Sequence, residues 1–132
     1  TTNQVTLCPS VFIARSLAKN GNNVYQYHFT RMREGSEKIL SYHGAEIPYV
    51  FNTHDEWLPT NEDDQELTEV MMEYWVEFAK KGTPNSINNL TWKEFGPEEN
   101  YLVLNQSPEN AVKLENEFCE IMINEMVERA SR

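Results

Sequence analysis

Hydrophobic and polar positions along the chain predict three helices. Apolar residues recur every three or four positions in residues 10–19 and again in residues 65–81, the spacing of one buried helix face. Asn20-Gly21 follows the first of these segments and Gly82-Thr83-Pro84 follows the second, and both are typical helix stops. A third helix is predicted from Ser107-Pro108 to about Ala130. We interpret the apolar faces of these helices as packing surfaces.

Two short segments have the composition of strands. Residues 24–29 are rich in β-branched and aromatic side chains, and residues 101–104 form a second apolar run. The turn-rich stretch between residues 85 and 100 is predicted to be a loop, with Trp92 and Phe95 as surface anchors. An aromatic strand needs cover on both faces, and a parallel sheet needs more neighbours than these. We therefore expect the sheet to be completed elsewhere.

Composition narrows the class of protein. The 132 residues suffice for one ordinary domain, and 39% hydrophobic with 24% charged residues is a globular composition. No apolar run approaches the ~18 residues of a membrane-spanning helix, and the first residues do not resemble a signal peptide. The net charge of -10, with 11 basic against 21 acidic residues, argues against nucleic acid as a partner.

The chemistry of the chain is concentrated around His43. This histidine lies between a polar loop and an apolar run at residues 47–51, with Gly44 beside it and Glu46 three residues later. Imidazole can take and return a proton near neutral pH, so the placement suits a general base. A hydrogen-bonded structural histidine fits the same residues, and chemistry alone leaves both interpretations open.

The other histidines give weaker indications. His28 lies on a predicted strand and is interpreted as structural, and His54 stands beside Asp55, where a dyad or metal ligand is conceivable. Adjacent loop residues rarely point the same way, and the three histidines lack the ligand spacing and paired cysteines of zinc sites. The methionine and aromatic stripe of residues 65–81 is interpreted as core. We expect no metal and no cofactor.

The order of residues around His43 resembles a known family. Residues 43–51 (HGAEIPYVF) are similar to the catalytic-histidine segment of the type-B carboxylesterase and cholinesterase family of α/β-hydrolases. Residues 24–29 (VYQYHF) and 74–85 (YWVEFAKKGTPN) resemble the flanking blocks in the family's order, and Trp92 followed by residues 101–104 resembles the next block. The resemblance spans nearly the whole chain.

The resemblance implies a fold, an activity and roles for site residues. It implies an α/β fold in which residues 1–132 form the C-terminal segment of a single α/β-hydrolase catalytic domain, with a few strands and packing helices. The implied reaction is two-step acyl transfer on a carboxylic ester, with His43 as general acid and base. Glu46 and Gly44 would support the loop, although Glu46 equally suits a carboxylate that caps nearby amides. Asn52 departs from the glycine usual in the family after this run.

The remaining catalytic groups are expected on a partner. An enzyme of this family needs a serine on a Gly-x-Ser-x-Gly elbow, an acid and oxyanion donors, in the chain order serine, acid, histidine. The chain has no such elbow, and its five glycines form no glycine-rich stretch. The expected partner is therefore an N-terminal chain of the same enzyme that carries the nucleophile and the acid. The expected substrate is a small ester.

Cys8 and Cys119 are the only cysteines. Two thiols by themselves would be free cysteines in a cytosolic protein, but their contexts resemble the two halves of a C-terminal disulfide of cholinesterase-like proteins. The resemblance thus implies a disulfide and a secreted or extracellular protein. Asn89-Leu90-Thr91 is an N-glycosylation sequon, which matters only if the chain is secreted.

Two other classes of function stay open at this stage. One is a catalytically inactive cholinesterase-like module for adhesion or binding, which only the missing serine can decide. The other is a free-standing helical interaction protein that would use the long amphipathic helices as binding surfaces.

Overall fold

A computed structural model describes residues 6–131. The chain forms, in order, α1 (Cys8–Lys19), β1 (Tyr27–Phe29), α2 (Ile47–Phe51), α3 (Glu62–Lys81), β2 (Asn100–Leu104), β3 (Glu109–Val112) and α4 (Asn116–Ala130). Within residues 6–131, no helix is both long and apolar enough to cross a membrane.

The strands form one small open sheet in the order β1-β2-β3. β1 and β2 are parallel, with Tyr27 opposite Leu102 and Phe29 opposite Leu104. Parallel strands joined by helices are the hallmark of α/β proteins. The sheet and its packing helices thus confirm the predicted α/β class. The chain divides into two compact units, which are described in turn.

Within the described residues, the first unit contains residues 6–26, 94–101 and 111–131, with α1 and α4 as its helices. Cys8 and Cys119 form a disulfide with a Cα–Cα distance of 5.0 Å, which confirms the predicted pair. Both cysteines are fully buried, and Val11 of α1 and Ile123 of α4 pack in the same cluster. The disulfide therefore lies in the core of this unit.

The second unit contains residues 27–93 and 102–110. Here α2 packs against α3, whose buried face includes Leu67, Met71 and Tyr74. The predicted helix over residues 65–81 is confirmed, but α3 begins earlier, at Glu62. The helix starts there because Asn61 and Asp64 form a capping box.

Trp92 and Phe95 are buried, so their prediction as surface anchors is wrong. Trp92 is 4% exposed and belongs to an aromatic cluster of the second unit. Its ring centroid lies 5.4 Å from that of Tyr74 and 5.8 Å from that of Trp75. Phe95 is 2% exposed in the first unit, where its backbone N–H donates to the carbonyl of Val24 at 2.8 Å. Burial of these large rings outweighs the polarity of the surrounding turns.

Two predicted boundaries also need correction. The strand predicted over residues 24–29 is reduced to β1, three residues long. The helix predicted from Ser107 does not form there, because residues 109–112 form β3 beside β2. Lys113 and Glu115 then adopt positive φ angles, +56° and +48°, which turn the chain before α4 begins. Pairing with the sheet thus overrides the local helix-start pattern at Pro108.

Candidate functional site

His43 lies on a tight turn that leads into α2. The backbone N–H of Ala45 donates to the carbonyl of Tyr42 at 3.0 Å, and that of Ile47 donates to the carbonyl of Gly44 at 3.1 Å. Gly44 has a φ of +89°, in the region that favours glycine. A Cβ at this position would lie 3.5 Å from Cδ1 of Ile47, an ordinary contact. The turn therefore requires the backbone freedom of Gly44 more than its small size.

The turn is anchored at the end of a strand. The hydroxyl of Ser41 donates to the carbonyl of Phe29, the last residue of β1, at 3.0 Å. Because β1 and β2 are parallel, both strands end at this edge of the sheet. Open α/β sheets bind their ligands beyond the carboxyl ends of the strands. His43 is thus presented at the edge where such a fold carries its active site.

The imidazole of His43 is exposed, and it has no hydrogen-bond or ion-pair partner among residues 6–131. Glu46 is half-buried and stands at the N-terminal end of α2. Its backbone carbonyl accepts hydrogen bonds from Tyr49 at 3.0 Å and Val50 at 3.1 Å. The predicted site residues His43, Gly44 and Glu46 therefore share one turn. Glu46 also influences Tyr27, whose pKa is raised first by burial and second by the charge of Glu46.

The short helix α2 is only partly covered. Tyr49 is fully buried, whereas Ile47 is 52% exposed and Phe51 is 68% exposed. The apolar run at residues 47–51 is therefore only partly buried. α2 ends at Asn52, which has a φ of +50°. Asparagine tolerates this left-handed conformation, so it can replace the glycine usual in the family.

A buried carboxylate joins the segments on either side of His43. Oδ1 of Asp64 accepts hydrogen bonds from Nε of Arg31 and from the hydroxyl of Tyr49, both at 2.7 Å. Oδ2 accepts from the backbone N–H of Asn61 at 3.0 Å. Burial opposes ionisation of Asp64, but the hydrogen bonds from Arg31 and Tyr49 outweigh it and lower the pKa of the carboxyl. Asp64 is thus an ionised, fully bonded group at the start of α3.

The loop before His43 is held by a second arginine. The guanidinium of Arg33 donates to the carbonyl oxygens of Leu58 and Pro59, the latter at 3.2 Å, and to Oγ1 of Thr60 at 2.8 Å. Arg33 is 6% exposed. A cavity of about 10 Å³, at the lower limit for one water molecule, lies in this loop region. This cavity is therefore too small to hold a substrate.

The other predicted candidates lie apart from this turn. His54 lies in the loop between α2 and α3, and its Nε2 lies 2.7 Å from Oγ1 of Thr68 on α3, so it is a structural histidine. Among the described residues, no group of three or more His, Cys, Asp or Glu side chains is arranged to hold a metal ion. Nδ2 of Asn89, the atom that a glycan would modify, donates to Glu73 at 2.8 Å.

Sequence reasoning missed three residues next to the site: Arg31, Tyr49 and Asp64. An asparagine followed three residues later by an acid is a recognisable helix start, so Asn61 and Asp64 carried a detectable pattern. No spacing connects Arg31 or Tyr49 with Asp64, because their contact arises only when α2 packs on α3.

Comparison with known proteins finds carboxylesterases, both as a matching family and as individual similar proteins. The profile described as "Carboxylesterase family" matches residues 1–122. Carboxylesterase 1E from Rattus norvegicus is 31% identical over 111 residues, which cover 80% of this chain and 20% of that protein. Carboxylesterase 1D from Mus musculus is 28% identical over 134 aligned residues, with coverage of 93% and 23%. Cocaine esterase from Homo sapiens is 38% identical over 68 residues, with coverage of 50% and 12%.

The chain spans about a fifth of the length of the two rodent relatives. The family match nevertheless covers nearly all of its 132 residues. The matched range includes the turn with His43, the bond from Ser41 to Phe29 that anchors this turn, and the two disulfide-bonded cysteines. The chain belongs to the carboxylesterase family.

Proposed function

We propose that this chain is the C-terminal part of a serine carboxylic-ester hydrolase and that His43 is its general acid and base. The observation that carries the proposal is the position of His43, exposed on an anchored turn at the carboxyl end of two parallel strands. Membership of the carboxylesterase family supports an ester as substrate. On this proposal residues 1–132 belong to one catalytic domain.

The nucleophile, the acid and the oxyanion donors come from an N-terminal partner segment in this proposal. His43 takes the proton from the serine hydroxyl as it attacks the ester carbonyl, and returns it to the departing alcohol. His43 then takes a proton from the water molecule that attacks the acyl-enzyme and gives it to the serine oxygen as the acyl group leaves. Gly44 permits the turn that presents the imidazole, and Glu46 supports the turn at the start of α2.

Exposed apolar side chains near His43 support contact with further protein. Leu40 is 60% exposed on one side of His43 in the sequence, and Ile47 and Phe51 are more than half exposed on the other. Large apolar groups exposed together commonly mark an interface. We assign this surface to contact with the partner segment, which would also complete the sheet beside β1-β2-β3.

We also propose that this enzyme passes through the secretory pathway. The buried disulfide between Cys8 and Cys119 is compatible with secretion or with the lumen of the endoplasmic reticulum. In either compartment Asn89 would meet the glycosylation machinery, so it stays a predicted acceptor.

Substitution of His43 in the full-length enzyme tests the proposed function. His43→Ala should lower ester turnover by roughly 1,000-fold or more, since loss of a triad member leaves only binding and oxyanion stabilisation. It should also slow fluorophosphonate labelling of the serine. The matched control is Lys38→Ala, another exposed residue of the same loop, which should keep both rates.

Two results would contradict the proposal. Turnover of His43→Ala at the rate of Lys38→Ala would remove His43 from the mechanism. Labelling of the native protein followed by mass analysis addresses the partner: absence of a labelled serine would favour a non-catalytic binding module.

A further inference from the structure

Residues near the two ends of the loop that carries His43 donate hydrogen bonds to the same carboxylate oxygen. The loop leaves β1 at Phe29 and reaches α2 at Ile47. Arg31 lies just after the strand and Tyr49 lies within the helix, and both donate to Oδ1 of Asp64 at 2.7 Å. A single oxygen therefore fixes the distance between the two ends of the loop.

Asp64 is itself rigidly held. Its backbone N–H donates to Oδ1 of Asn61 at 3.0 Å, and its Oδ2 accepts from the backbone N–H of Asn61 at 3.0 Å. Its side chain is fully buried at the start of α3, a helix of 20 residues. Reciprocal capping bonds leave the carboxylate one orientation, so its Oδ1 is a fixed point for the loop.

Tyr49 transmits this constraint to the turn. Its ring is fully buried, with its centroid 5.0 Å from that of Phe29 and 4.8 Å from that of His54. Its backbone N–H donates to the carbonyl of Glu46, the residue that ends the His43 turn. The bond between the Tyr49 hydroxyl and Asp64 therefore helps to hold the start of α2, where the His43 turn ends.

We propose that Asp64, through Tyr49, is a positioning residue that fixes the His43 turn. The catalytic part of this inference rests on the proposed function, whereas the geometric part does not. Catalysis is sensitive to small displacements, since an error of about 1 Å in the position of a reacting group can cost roughly 100-fold in rate. Asp64 has no direct contact with the reacting atoms and acts only by placing the imidazole.

Paired tyrosine substitutions in the full-length enzyme test this role. Tyr49→Phe keeps the ring and removes the bond to Asp64. Tyr74→Phe is the matched control, because Tyr74 is also buried on the second unit and its hydroxyl donates to the carbonyl of Leu90 at 2.6 Å, away from the turn. We expect Tyr49→Phe to lower kcat by about 10- to 100-fold with KM within about twofold, and Tyr74→Phe to leave both unchanged.

A spectroscopic measurement separates this inference from the proposed function. The imidazole of His43 is observed by NMR in enzyme carrying ¹³C-labelled histidine, with His43→Ala used for assignment. The His43 signal should broaden or split in Tyr49→Phe and stay sharp in Tyr74→Phe. If the signal and kcat are the same in both variants, the positioning role is wrong. If His43→Ala keeps its turnover while the Tyr49→Phe signal broadens, the proposed function fails and the positioning role stands.

Discussion

His54 and His43 illustrate two different environments for the same side chain. The hydroxyl of Thr68 donates to the carbonyl of Asp64 at 2.7 Å, so it accepts from Nε2 of His54. Nδ1 of His54 is buried and has no hydrogen-bond partner among the described residues. Burial first and the charge of Arg33 second lower the pKa of His54. The fold therefore holds His54 in its neutral form, whereas His43 faces solvent.

The lowered pKa of His54 predicts that the stability of the fold depends on pH. The unfolded chain binds a proton at His54 below its ordinary pKa of 6.5, but the folded chain does so only at lower pH. The free energy of unfolding should therefore decrease as pH falls below 6.5, toward the lowered pKa of the folded state. His54→Gln keeps an N–H donor for Thr68 and cannot titrate, so its loss of stability over this range should be smaller.

Urea unfolding at a series of pH values between 5 and 8 measures the effect. The parent and His54→Gln should have parallel stability profiles between pH 7 and 8 and diverge below 6.5. Parallel profiles over the whole range would show that His54 is not held neutral.

At the residue scale, the sequence identifies the candidate site residues better than the residues that hold them in place. His43, Gly44 and Glu46 are neighbours in the chain, so one motif contains all three. Asp64 lies 15 residues beyond Tyr49 and 33 beyond Arg31, and only packing brings them together. Asn52 shows the same limit: its departure from glycine is visible in the sequence, but its left-handed backbone is not.

At the element scale, α3 is the best-supported helix of the second unit. Glu62, Asp63 and Asp64 lie in its first turn and Lys80 and Lys81 in its last, which suits the helix dipole. The side chain of Asn61 caps its start and also accepts from Nη2 of Arg31 at 3.1 Å. Asn61 therefore stabilises both the helix and the orientation of Asp64.

Removal of this cap should weaken the helix measurably. Asn61→Ala loses the bond from the backbone N–H of Asp64, and replacement of such a cap by alanine costs about 1 kcal/mol, in a range of roughly 0.5–2 kcal/mol. Gln65→Ala, an exposed substitution on the same helix, should change stability by less than about 0.5 kcal/mol. Urea unfolding of the two variants gives the comparison, and equal midpoints would argue against the capping box.

Length and periodicity explain which elements could be predicted. α3 repeats its apolar pattern over about five turns, so the pattern predicts its type, and the helix differs from the prediction only in beginning at Glu62. α2 has five residues and β1 has three, too few for either period to be recognised. At residues 107–112 a serine-proline helix start competes with pairing beside β2, and the pairing prevails. Such competition depends on the sheet and not on the local sequence.

At the scale of the whole chain, the disulfide is the longest covalent constraint. Cys8 and Cys119 are separated by 111 residues, so the bond joins α1 to α4 across most of the sequence. A cross-link that closes a loop of this size is expected to stabilise a protein by roughly 4–5 kcal/mol, less any strain, through the restricted unfolded state. The sequence resemblance predicted the pair, but two cysteines alone could not distinguish a bond from two free thiols.

Replacement of both cysteines by alanine should lower the free energy of unfolding by up to roughly 4–5 kcal/mol. Total stabilities of domains are about 5–15 kcal/mol, so this loss should reduce the urea midpoint strongly and make it insensitive to reductant. The parent should show the reduced midpoint only after reduction, together with a mass gain of about two daltons as one bond becomes two thiols. Equal midpoints for the parent and the double variant, or two alkylatable thiols in the unreduced parent, would contradict the prediction. A chain that depends on this bond would be poorly stable where thiols stay reduced, and this physical argument supports the proposal of an oxidising compartment.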